Sequence, residues 1–121
     1  MTKQLRILKS NKINIENGLY YCNESEALYL EILDTVLDES AEKKALFEKW
    51  AARKDFDGYY REAHALKSVM ATIGADGISG FLNGLCAEMK TANTFPSAAK
   101  VRELARRYRK LLKIIEKSKK S

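Results

Sequence analysis

Apolar residues recur at spacings of three and four along nearly the whole chain, and nowhere alternate with period two for more than a few residues. That pattern calls for amphipathic helices and argues against a sheet-built core. The sole proline, Pro96, sits in Asn93-Thr94-Phe95-Pro96-Ser97. This is the clearest break in the chain, because proline is tolerated in a helix's first turn but not inside it. At 121 residues there is room for one hydrophobic core and not two. The expected fold class is all-α: an up-and-down four-helix bundle with a short additional N-terminal helix.

The expected organisation is a basic lead-in or linker over residues 1–12, a bundle domain over 13–117 and a Lys-rich tail over 118–121. Ile13–Leu19 reads as a short helix or turn. Asn23 or Ser25 would cap a helix carrying Leu28, Ile32, Leu33, Val36 and Leu37 on one side. Ser40 restarts the chain into a helix with Ala45, Leu46, Phe47, Trp50 and Ala51, where Trp50 reads as structural. Asp55 caps the next helix, Gly74 stops it, and Asp76 caps another running to about Ala92. A last helix over about 97–117 carries Val101, Leu104, Ala105, Tyr108, Leu111, Leu112 and Ile115.

Charge narrows the function classes. The net +6 is concentrated from Lys100 to Ser121, where ten Lys/Arg face two acids, leaving a mildly acidic body before it. Only Tyr108 punctuates that basic run, so a solvated helix face is favoured over nucleic-acid binding, which is not expected. Cys22 and Cys86 are far apart and there is a single histidine, so no zinc site can be assembled; reduced thiols are expected. No apolar run approaches the ~18 residues of a membrane span, and no secretory signal follows Met1, so a cytoplasmic location is expected. Gly74, Gly77, Gly80 and Gly84 form no phosphate-binding motif; they suit close helix packing or a lean surface.

One constellation carries chemistry. Phe56, Tyr59, Ala63, Leu66, Met70 and Ile73 form the apolar seam of the Asp55–Ile73 helix. The lone histidine, His64, lies roughly 130° from the middle of that seam and is expected to face outward. Within about 60° of it lie Asp57, Tyr60, Arg61, Lys67, Ser68 and Ala71. Two cations stand within a turn of the ring, and Ser68 and Ala71 are small enough to leave it accessible. Taken alone, an outward histidine is most often a plain surface residue. The surrounding sequence points further.

The stretch His64-Ala65-Leu66-Lys67-Ser68, then Ile73-Gly74-Ala75, then Ile78, Phe81 and Leu85, resembles the histidine-containing phosphotransfer (HPt) domains of bacterial and eukaryotic phosphorelays. Upstream, Gly18-Leu19, Tyr29-Leu30 and Leu33 resemble the family's opening helices; the resemblance spans roughly residues 13–93. Ser68 is a departure, since the family typically has glycine there. The resemblance implies a phosphorelay intermediate whose His64 accepts a phosphoryl group from a receiver-domain aspartate and passes it to another. Lys67 would steady the phosphoryl oxygens, Arg61 would help, Ser68 would govern access, and Tyr60 and Ala71 would meet the partner. Leu19, Leu28, Phe81 or Leu82 would add apolar docking area from neighbouring helices. The neutral imidazole is the nucleophilic form.

The implied partners are response-regulator receiver domains and a hybrid sensor histidine kinase, in trans or as the parent chain. No cofactor is expected on this chain; the divalent metal would belong to the receiver. The chain would be a phosphohistidine carrier without autokinase activity. Two rival readings are a non-transferring helical scaffold that docks receivers, and a nucleic-acid or anionic-surface binder acting through the basic C-terminal helix.

Overall fold

The computed structural model describes residues 1–120. Seven α-helices follow in order: α1 (Lys3–Ser10), α2 (Ile15–Tyr21), α3 (Glu26–Asp38), α4 (Ser40–Arg53), α5 (Phe56–Thr72), α6 (Asp76–Ala92) and α7 (Ala98–Lys119). No strand occurs among the described residues. The all-α bundle expected from periodicity is present, with two short helices rather than one at its start.

Local chemistry sets most of the helix starts. The side chains of Thr2, Asn14, Ser25, Asp55 and Ser97 each accept a hydrogen bond from a backbone N–H three residues on, satisfying a donor the helix leaves open. Ser25, not Asn23, is thus the cap of α3. The expected Asp76 cap is corrected: Ala75 holds that place without a side-chain bond, and Asp76 is the first residue of α6. Its carboxylate instead accepts from Asn14 Nδ2 at 3.1 Å. Gly74 ends α5 as expected, at φ +81°, a conformation costly for any residue with a Cβ.

The core runs the length of the molecule. Tyr59, Ala63, Leu66, Met70 and Ile73 are buried along the α5 seam, facing Ile78, Leu82, Leu85 and Met89 of α6 and Leu104, Leu111 and Ile115 of α7. Each such aliphatic burial stabilises the fold by roughly 1.5–3 kcal/mol relative to exposure. On α3 the buried face is Tyr29, Leu33 and Val36, while Leu28 is 43% exposed, so the expected face was turned by about one residue. The reason is specific. The Tyr29 hydroxyl donates to the Ile73 carbonyl at 2.7 Å, and its ring fills the space where a Cβ on Gly18 would lie at 2.3 Å. With Asn14 N–H donating to Gly74 O at 2.8 Å, α2 and α3 are clamped to the α5–α6 turn.

Residues 3–10, expected as lead-in, form a helix that packs on α7. Leu5 and Leu8 are 1% and 0% exposed, while Lys3, Arg6 and Lys9 face water. At the other end, Lys119 still belongs to α7 and Ser118 is buried, its hydroxyl donating to Ile115 O at 2.6 Å; Ser121 lies outside the described residues. The basic α7 is partly neutralised by ion pairs of Arg106 and Arg107 with Glu103, Lys100 with Glu88 and Lys119 with Asp34. Among the described residues no helix is long and apolar enough to cross a membrane.

Candidate functional site

Helix α5 positions the site. Its Asp55 Oδ1 accepts from Gly58 N–H at 2.9 Å, fixing the start, and its buried seam fixes the rotation. With Tyr59, Ala63 and Leu66 turned inward, His64 must face out, and it is exposed. Phe56, Tyr60 and His64, four residues apart, form a ladder of rings on that surface. Tyr60 stacks on Phe56 with centroids 6.0 Å apart and planes at 2°, and on His64 at 5.9 Å and 27°.

The sequence-selected neighbours divide into two sets. Lys67 is half-buried and has no ion-pair partner among the described residues, so its charge remains open to an incoming anion. It lies near the thiol of Cys86, which burial pushes up in pKa and the lysine's charge partly restores. Ser68 is exposed, with its hydroxyl turned onto its own helix, donating to the His64 carbonyl at 3.4 Å. Ala71 is half-buried one further turn along. Arg61 belongs to the other set. Its guanidinium carbon lies 5.8 Å from the Trp50 ring centroid and its Nε 3.9 Å from Glu62, so it leans toward α4.

The neighbouring helices contribute less apolar docking area than expected. Leu82 is fully buried and belongs to the core, correcting its place among the docking candidates. Phe81 is half-buried under Arg107, whose guanidinium carbon is 4.9 Å from the ring centroid. Leu19 is half-buried and Leu28 exposed. Trp50 is half-buried against Gly58, as a structural residue would be. Cβ atoms added at Gly77, Gly80 or Gly84 would meet nothing within 4 Å, so these glycines thin an open surface of α6 and do not serve close packing.

One cation escaped the sequence reasoning. Lys90 of α6 places its Nζ 5.9 Å from the Tyr60 ring centroid, bringing a further positive charge to the ladder that includes His64. Its signal was the antiparallel α5–α6 hairpin, which sets the last turns of α6 beside the first turns of α5. No group of three or more His, Cys, Asp or Glu side chains able to hold a metal occurs among the described residues.

A family model, described as Hpt domain, matches residues 31–113. The chain belongs to the Hpt domain family. Members of this family carry out histidine phosphotransfer in two-component phosphorelays and interact with receiver domains. The matched segment runs from α3 into α7 and takes in His64, Lys67, Ser68 and Gly74. It extends the resemblance to the last helix, and leaves α1 and α2 outside it. Neither the comparison with curated proteins nor that with solved structures returned a match.

Proposed function

We propose that this Hpt domain is a phosphorelay carrier that takes a phosphoryl group from a receiver aspartate onto His64 and hands it to a second receiver. The observation that carries the reading is an exposed His64 beside Lys67, a cation without an ion-pair partner among the described residues. In the first step the lone pair of the unprotonated ring nitrogen forms an N–P bond while the aspartyl P–O bond breaks. The carboxylate leaves with the bonding electrons, and the second transfer reverses the sense. Such transfer asks the protein for in-line placement and for charge opposite the equatorial oxygens, more than for an acid or base.

Lys67 is assigned to those oxygens, and Tyr60 to orienting the imidazole and meeting the partner together with Ala71. Arg61 assists only after leaving Trp50. The divalent metal belongs to the receiver's acidic pocket. The donor receiver is that of a hybrid sensor kinase, and the setting is the cytoplasm.

The test is incubation with a phosphorylated receiver. Acid-labile, alkali-stable label is expected on the wild-type chain and absent from His64→Gln that keeps its helical circular dichroism. Ser68, standing where the family has glycine, favours a second reading, a scaffold that docks receivers without transfer. That reading expects receiver binding with no label on the wild type across a panel of receivers.

A further inference from the structure

Helix α4 buries none of its residues fully, and its half-buried Phe47 leaves a gap where α4 meets α5 and α7. The gap is a cavity of about 250 Å³ walled by Phe47, Tyr59, Val101, Leu104 and Tyr108. Most of its wall is apolar, but two polar groups interrupt it. Tyr59 and Tyr108 are 1% and 3% exposed, and neither hydroxyl has a hydrogen-bond partner among the described residues. Buried polar groups are ordinarily paired, so two unpaired phenols on residues that wall one apolar cavity call for an acceptor.

The mouth has its own chemistry. Lys44 and Arg109 stand exposed at the rim without ion-pair partners among the described residues, against the carboxylate of Glu48 at the rim and that of Glu39, which lies outside the wall but whose charge acts on the Tyr108 phenol. Burial pushes the phenols of Tyr59 and Tyr108 up to about 12, so both are hydrogen-bond donors throughout the neutral range. An occupant must therefore offer an apolar body, an acceptor for buried phenols and a negative charge near the rim.

We propose that this cavity binds a small organic monocarboxylate with an aromatic or compact apolar body, its ring among Phe47, Leu104 and Val101 and its carboxylate between the phenols and the rim cations. The site lies on a different face from His64 and needs no phosphotransfer.

The test is an amide NMR titration of the full chain with cinnamate and, separately, with the uncharged cinnamyl alcohol. Cinnamate is expected to give saturable shifts centred on Lys44, Phe47, Leu104, Tyr108 and Arg109, equally in His64→Gln. The alcohol, and cinnamate with a Lys44→Met/Arg109→Met variant, should bind at least about tenfold more weakly. Ala105→Phe, at an exposed rim position, should block the cavity, and Tyr108→Phe should weaken binding about threefold or more, both with unchanged circular dichroism. The proposal is overturned by absence of saturable shifts up to roughly 10 mM cinnamate, by shifts centred elsewhere, or by equal binding of the alcohol. Undiminished binding in both Ala105→Phe and Tyr108→Phe also overturns it, as do concentration-dependent shifts on these residues without ligand, which would make the face a contact between copies of the chain.

Discussion

Around His64, charge and bulk act on separate aspects of transfer. Lys67 has no ion-paired carboxylate among the described residues, so replacing it removes positive charge from the place where a phosphoryl group would stand. Lys67→Ala is expected to slow phosphotransfer by about 10²-fold while leaving receiver binding nearly unchanged, the pattern of a group acting on developing charge. Lys90, reached only through the Tyr60 ring, should matter less; Lys90→Ala is expected to cost a few-fold at most, and less in high salt. Ser68 offers opposite signs in one position. Ser68→Gly should raise the transfer rate by opening the approach to His64, yet lower the melting temperature, since mid-helix glycine costs up to ~1 kcal/mol. Ser68→Leu should reverse the kinetic effect. Single-turnover transfer assays with thermal melts on the same variants read both signs.

At the scale of helices, the sequence disclosed rotation better than contact. The α5 seam predicted from spacing is the buried seam from Tyr59 to Ile73, because one helix face is decided by its own residues, whereas Phe56, expected in that seam, is only half-buried and stacks on Tyr60 beside His64. The outward direction of His64 followed from it. What the spacing left open depended on partners far along the chain. The choice of Tyr29 over Leu28 is made by Gly18 and the Ile73 carbonyl, and Lys90 reaches Tyr60 only because α5 and α6 pair. Helix α1 was masked by its basic residues, although Leu5 and Leu8 supply a complete apolar stripe for so short a helix. That gives a sharp expectation. Leu8→Ala should destabilise the fold by about 2–4 kcal/mol in urea unfolding, as a core truncation does. Lys9→Ala, which removes only an exposed pair with Glu16, should change it by less than ~0.5 kcal/mol. A lead-in outside the fold would give two small values. Gly74→Ala should cost more than the ~1 kcal/mol of a simple conformational penalty, because its Cβ would meet Asn14 O at 2.0 Å.

Over the whole molecule, three buried phenols tie stability to alkaline pH. Burial raises the pKa of Tyr29 above the ordinary range, and of Tyr59 and Tyr108 to about 12. In the unfolded chain each would ionise near ~10. Above that pH the unfolded state binds fewer protons than the folded state, so stability falls as pH rises. The contribution is complete below pH ~10 and is lost as pH climbs through the folded values. Urea midpoints are therefore expected to show no tyrosine-linked change from pH 7 to about 9.5 and to drop steeply from about 10 toward 12. Tyr108→Phe, whose hydroxyl has no hydrogen-bond partner among the described residues, should lessen that drop with little cost at neutral pH. Tyr29→Phe should also lessen it, but from a lower start, because it leaves the buried Ile73 carbonyl without its 2.7 Å donor at a cost of about 1–3 kcal/mol. Midpoints that fall equally in the wild type and both variants would mean that other groups carry the alkaline transition. The same pair of variants thus separates a phenol that holds the fold together from one left open to a ligand.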